Sequence, residues 1–290
     1  MRTNDHIMPS NLHDYLALTK PEVNLLVLMT TATGYYLASA GRVSATGLGN
    51  TLLGTLLVAS GTATLNQWME RVWDGQMRRT ANRPLPSGRV RPRLAFSFGI
   101  VMSIAGGVEL AFKVNYLAAA LAIATLLSYL LIYTPLKRKT SFCTLLGAIP
   151  GAMPALIGWA AASSAINVRA WFLFVFLFLW QFPHFLAIAL MYREDYARAG
   201  YKMLPDFDID GRFTRAEIVC TSVILAVFTI LLASRAGIFS LITLAVAGAF
   251  LLYPTVILVK TASRTMAHRV LHTSVIYLPV VLCVAIGCKP

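Results

Sequence analysis

The chain has 290 residues, 57% of them hydrophobic and only 13% charged, and 25 lysines and arginines against 12 acids give a formal net charge of +13. Its mean hydropathy is +0.67. Soluble domains carry roughly 25% charged residues, so this composition excludes a water-soluble globular protein and places the chain in a bilayer.

Residues 1–22 read as a polar arm, "MRTNDHIMPSNLHDYLALTKPE", without the apolar core or small-residue cleavage site of a secretory signal. Nine apolar windows follow, at 23–40, 45–65, 94–112, 115–133, 142–162, 170–190, 217–234, 237–259 and 270–288. Each approaches the roughly 20 residues a helix needs to cross the hydrocarbon core. The runs are continuous and lack the polar/apolar alternation of barrel strands, so the prediction is an all-α bundle of nine transmembrane helices, one domain over 23–290.

Five cations, Arg42, Lys113, Arg169, Arg235 and Lys289, sit singly at one set of helix ends, and the other twenty (25 less these five) lie at the opposite set. The positive-inside rule then gives a cytoplasmic N-terminus and an external C-terminus. The basicity is topological and calls for no nucleic acid. Cys143, Cys220, Cys283 and Cys288 lie in or beside apolar windows and form no C-x-x-C pair.

Two cytoplasmic loops are long, 66–93 and 191–216. The first opens with Asn66, Glu70 and Asp74, spaced to share one face at the end of the second helix. Two carboxylates so placed repel unless a cation lies between them. An oxygen-only set suits Mg²⁺, which usually joins one or two carboxylates to substrate phosphates. Arg71, Arg78, Arg79 and Arg83 supply guanidinium forks that match phosphate oxygens. The competing reading is a solvated helix end.

The fourth window closes on "YTPLKRKT", with Tyr133 and Lys137 four apart and Arg138 next, a candidate diphosphate clamp. In the fifth, the glycines and alanines of "LLGAIPGAMPALIGWAA" predict close helix approach. In the sixth, "WQFPHFLAIAL" puts His184 inside the bilayer, where an ionisable group either serves a site or bridges helices. The loop after it holds Glu194 and Asp195 at the helix exit; Asp206, Asp208 and Asp210 look like a solvated segment.

Asn66-x-x-x-Glu70-x-x-x-Asp74 resembles the first Asn/Asp-rich motif of the UbiA-type intramembrane prenyltransferases, and Tyr133-x-x-x-Lys137 their Y-x-x-x-K element. "ERVWDGQMRRTANRPLPSGRV", "YTPLKRKT", "GAIPGAMPALIGW", "WQFPHFLAIAL" and "EDYARAGYKMLP" are similar to the heme-farnesylating branch of that superfamily, the heme O synthases. Glu70 departs from the usual aspartate, and Met191 stands where the second motif's first aspartate would be, leaving Asp195.

The resemblance implies farnesyl transfer from farnesyl diphosphate to a vinyl group of heme B, with water addition. It makes Asn66, Glu70 and Asp74 Mg²⁺ ligands and catalytic together with Lys137. Lys20, Arg71, Arg78, Arg79, Arg83, Tyr133, Arg138, His184 and Asp195 become substrate-binding. It also implies an inner-membrane location with the site toward the cytoplasm, and terminal-oxidase assembly factors among the partners. Two other readings compete: a prenyltransferase acting on an aromatic quinone precursor, and a membrane transporter.

Overall fold

In a computed structural model, residues 11–39, 41–232 and 237–288 are described; the first ten residues of the predicted arm, and with them Arg2, lie outside these, as do Arg235 and Lys289. The described elements are α1 (Leu12–Thr19), α2 (Pro21–Ala38), α3 (Ala45–Asp74), α4 (Pro92–Lys113) and α5 (Tyr116–Leu127). A π-helical turn (Ser128–Tyr133) carries α5 into α6 (Thr134–Leu136). Then come α7 (Cys143–Ser163), α8 (Val168–Met191), the short α9 (Arg193–Arg198) and α10 (Leu204–Phe207), and finally α11 (Arg212–Leu232), α12 (Ile238–Thr261) and α13 (Arg264–Gly287). No strand occurs among the described residues.

Eight helices, counting Tyr116–Leu136 as one, are long and apolar enough to cross a membrane. The remaining predicted span, α2, has eighteen residues and falls short of the same measure. Its Asn24, Thr30, Thr31 and Thr33 dilute its apolarity, yet all four are buried. The threonines satisfy their hydroxyls on the helix's own carbonyls, as Thr31 does on Val27 at 2.8 Å, which lets a polar row sit inside a bundle without cost.

Small residues set how closely the helices meet. A Cβ on Gly158 of α7 would strike the Thr31 carbonyl of α2, and one on Gly106 of α4 would strike the Gly54 carbonyl of α3 at 2.6 Å. This is the close approach that small residues permit between membrane helices. The chain closes on itself, since α13 packs on α8, α12 and again on α2. Inter-helix hydrogen bonds fix the register: Asn24 to Ser60 at 2.9 Å, Trp180 to the Ser274 carbonyl at 2.7 Å and Thr229 to Tyr277 at 2.7 Å.

Two features position the site. The thirty residues of α3 extend about 45 Å, longer than a hydrocarbon core of about 30 Å, so the last turns with Asn66, Glu70 and Asp74 run past the apolar segment. Pro135 has no N–H to return to Leu131, and the helix accommodates this as the π-helical turn just before it. Below α3, α1 docks with Leu18 fully buried and its carbonyl accepting from Gln67 at 2.8 Å. Asp14 of α1 pairs with Arg89 at 2.8 Å, pinning the loop after α3; the hydrogen bond from Arg89 holds the Asp14 carboxyl below its ordinary range despite partial burial.

Candidate active site

Asn66, Glu70 and Asp74 share one buried face of α3, with 1%, 5% and 1% of their surfaces exposed. Each is met by a group from elsewhere. The Asn66 amide donates to Thr134 at 3.1 Å, and Thr134 donates in turn to the Tyr129 carbonyl at 2.9 Å, a bond the π-helical turn makes available. That arrangement leaves the Asn66 carbonyl oxygen as an acceptor for a cation. Lys137 reaches Glu70 at 2.9 Å while its ammonium sits 4.5 Å from the centre of the Tyr133 ring. Arg83 reaches Asp74 at 2.8 Å, and Thr80 donates to the Asp74 carbonyl at 2.8 Å.

Lys20, in the left-handed region at φ 52° between α1 and α2, completes the cluster. Burial, then the charges of Arg83 and Lys137, push its ammonium down to about 7, although Glu70 and Asp74 pull the other way. Three cations and two carboxylates therefore crowd one end of the bundle, with a net positive balance. Among the described residues no three acidic, histidine or cysteine side chains converge. The donor set of two carboxylates and one amide oxygen thus fits a hard divalent cation only as part of a shell completed by phosphate oxygens and water.

Tyr201, which motif reading did not single out, faces Glu70; burial and that carboxylate push its phenol up. The signal available for it is Gly200 just before, whose φ of +69° is a backbone conformation glycine supplies. The turn also lets Lys202 donate to the Lys137 carbonyl at 2.8 Å, tying the second long loop to the clamp. A cavity of about 590 Å³ adjoins Glu70. Arg138 lies 4.3 Å from the Trp73 ring centre and Arg71 lies over Trp68 while donating to its carbonyl at 2.6 Å; both line this cavity.

The other predicted residues lie apart. Asp195 accepts from the Arg79 backbone at 3.3 Å and from Arg198 at 3.2 Å. Arg79 lies over the Tyr192 ring at 4.9 Å, and Arg78 is exposed beside it. Asp208 is not the solvated residue expected: it is buried and accepts from the Thr214 N–H at 2.7 Å and hydroxyl at 2.9 Å. Burial works against its charge, but these bonds hold its pKa below the ordinary value, as suits a carboxylate at a helix start. His184 makes a helix-bridging contact, with Nδ1 2.9 Å from the Ser274 hydroxyl of α13 and its ring stacked on Trp180 at 4.8 Å.

An acidic and amide face on one helix opposite lysine and arginine from two loops is chemically able to hold a diphosphate together with a divalent cation. Residues 27–276 match the model of the UbiA prenyltransferase family. The chain belongs to that family. Its relatives include the protoheme IX farnesyltransferase of Solibacter usitatus, 46% identical over 93% of this chain and 96% of that one. That of Salinibacter ruber is 40% identical over 92% and 95%, and the mitochondrial one of Arabidopsis thaliana 39% identical over 92% and 62%. Among solved structures, a digeranylgeranylglyceryl phosphate synthase superposes with a TM-score of 0.76 at 20% identity, over 96% of this chain and 98% of that chain. A UbiA homolog from Archaeoglobus fulgidus bound to GPP and Mg²⁺ superposes with a TM-score of 0.65 at 17% identity, over 94% and 99%. The UbiA fold is therefore shared, and the protein is a multi-span membrane prenyltransferase.

Proposed function

We propose that the protein transfers the farnesyl group of farnesyl diphosphate to a vinyl group of heme B, giving heme O and diphosphate. The observation that carries this is the Asn66–Glu70–Asp74 face opposed by Lys137, Arg83 and Lys20, a diphosphate-sized set of charges at the end of an apolar bundle, together with the names borne by relatives such as the one 46% identical. Mg²⁺ held through Glu70, Asp74 and the Asn66 carbonyl would neutralise the diphosphate and make it a better leaving group. Lys137 and Arg83, now paired with the carboxylates, turn their charge toward diphosphate oxygens, where charge develops as the C–O bond breaks. Arg71, Arg78, Arg79 and Arg138 add positive potential at the mouth, Tyr133 holds the Lys137 ammonium against its ring, and Asp195 holds the Arg79 backbone.

The diphosphate leaves with the bonding electron pair, the vinyl π electrons form the new C–C bond at the farnesyl C1, and water captures the porphyrin-side cation and loses a proton. No protein nucleophile is needed. The reaction lies at the cytoplasmic side of the inner membrane, and its product passes to terminal-oxidase assembly. The deciding experiment incubates purified protein with farnesyl diphosphate, heme B and Mg²⁺ and analyses the hemes by mass spectrometry. A hydroxyethylfarnesyl heme with stoichiometric diphosphate is expected. A farnesylated phenol made in preference, or substrate flux in vesicles without diphosphate release, overturns the assignment.

A further inference from the structure

A second cavity, of about 690 Å³, opens where the ends of α8, α12 and α13 meet α9 and the start of α11. That volume lies within the range of pockets that accept cofactor-sized ligands. Arg78, Arg79, Arg193, Arg215 and Arg264 line it, against Glu194, Asp195 and Asp210. The difference, five minus three, leaves two positive charges. Asp195, counted among the three, also accepts from Arg198, which lies outside the lining, and from the Arg79 backbone.

Arg78, Arg79 and Arg264 are exposed at the cavity's rim, while Arg193 and Arg215 are partly buried and bonded to the backbone. Arg215 donates through Nη1 to the Asp210 carbonyl at 2.9 Å, while its Nε–H is buried and has no partner among the described residues. A buried guanidinium donor left without an acceptor is costly, and an oxyanion in the cavity is the group that satisfies it. Arg79 and Arg264 stand over the Tyr192 ring, at 4.9 and 5.9 Å, an aromatic mount that fixes guanidinium planes. The N-termini of α11 and α13 open on the same space and add positive potential. Leu190, Met191, Leu258 and Ala267 give the cavity an apolar floor.

We propose that this cavity binds the two propionates of the heme substrate, an inference that rests on the function proposed above. The ligand chemistry is a pair of oxyanions joined to an apolar body, which matches both the double positive surplus and the apolar floor. Arg78, Arg79 and Asp195 connect the cavity to the turns that follow Asp74. Carboxylates anchored here leave the opposite, vinyl-bearing part of the macrocycle to turn toward Glu70 and Asp74. The site thereby selects which edge of the porphyrin meets the farnesyl C1.

The test compares heme B with its dimethyl ester, which has the same macrocycle and no carboxylates, using full-length protein in nanodiscs. Wild type should bind heme B about tenfold or more tightly than the ester, the factor expected for losing a charge-assisted bond. Arg215→Gln and the exposed Arg264→Gln should each erase most of that preference and raise KM for heme, with KM for farnesyl diphosphate near wild type. Equal use of the ester by wild type, or variants that keep the preference, overturns the proposal while leaving heme farnesylation intact. Loss of bound phosphatidylglycerol from the variants, with heme preference unchanged, assigns the cavity to a lipid phosphate instead and also overturns it. A wild type that makes no farnesylated heme removes the proposed function, and this inference with it.

Discussion

The two long loops look alike in composition, each leaving an apolar helix with acids and arginines together, yet the structure uses their carboxylates in opposite ways. Glu70 and Asp74 are paired with side-chain cations brought from other segments, Lys137 and Arg83. Asp195 and Asp208 each accept a backbone N–H, of Arg79 and Thr214, beside a side-chain donor from close in sequence, Arg198 and the Thr214 hydroxyl. A side-chain cation can move to a substrate and leave its carboxylate to a metal, whereas a backbone N–H stays where the fold puts it. On the function proposed above, the first loop exchanges partners and the second holds shape.

The largest effect that sharpens this contrast comes from the first loop. Glu70→Gln and Asp74→Asn should each lower turnover by roughly 10²–10³-fold, the scale for losing a group aimed at developing charge, while membrane insertion stays normal. Asp195→Asn should cost less than about tenfold and leave the Mg²⁺ requirement unchanged, since its partners are the Arg79 main chain and a guanidinium of its own helix. Turnover measured against Mg²⁺ concentration separates them. Equal losses with equal shifts in Mg²⁺ dependence would falsify the division of labour.

Next in size is the arginine facing Asp74. Arg83→Lys keeps the charge but loses the planar fork, and affinity for farnesyl diphosphate should fall by about tenfold. Arg198→Lys, on the structural side, should leave that affinity unchanged. Direct binding of a non-hydrolysable farnesyl diphosphate analogue reads the difference.

A smaller effect concerns pH. The Lys20 ammonium is pushed down to about 7 by burial and by Arg83 and Lys137. With a folded pKa below the unfolded one, the burial penalty is fully present below about 7 and is relieved as pH rises from there toward the ordinary lysine range. An arriving diphosphate favours the charged form, so at pH 8 its binding should take up a proton and should weaken as pH rises through that window. Calorimetry in buffers of different ionisation enthalpy measures the uptake, and Lys20→Met should abolish it. Uptake that persists in Lys20→Met would assign the proton elsewhere.

Much of this was legible in the sequence because membrane physics leaves few choices. Continuous apolar windows marked the long helices to within a few residues, as 142–162 against Cys143–Ser163 shows, and i, i+4, i+8 spacing put Asn66, Glu70 and Asp74 on one face. What spacing cannot carry is partner choice across the chain. Lys137 finds Glu70 across 67 residues, Tyr201 comes to the cavity beside Glu70 only through the turn at Gly200, and Asp208 is drawn from solvent by the start of α11. The threonines and Asn24 of α2 dilute its apolar signal, while the threonines' bonds to their own helix let it stay in the bundle.

The smallest expected effect distinguishes a holding histidine from a substrate contact. Ser274 has one hydroxyl proton, and it donates to the Leu271 carbonyl at 2.7 Å. The His184 Nδ1, 2.9 Å from the same oxygen, must then be the donor, which fixes the neutral tautomer with the proton on Nδ1 and the lone pair on Nε2. Trp180, stacked on the ring at 4.8 Å, donates to the Ser274 carbonyl, so one residue of α13 receives two of α8. Such a bridge contributes about 1 kcal/mol net. His184→Ala and Ser274→Ala should each lower stability by about that amount, and the double variant should lose less than the sum, since residues sharing a bond couple. Heme farnesylation should stay within a few-fold of wild type and the spectrum of bound heme should not move. A displaced Soret band in His184→Ala alone, with Ser274→Ala unchanged, would show that Nε2 reaches the substrate and that the bridge serves to aim it.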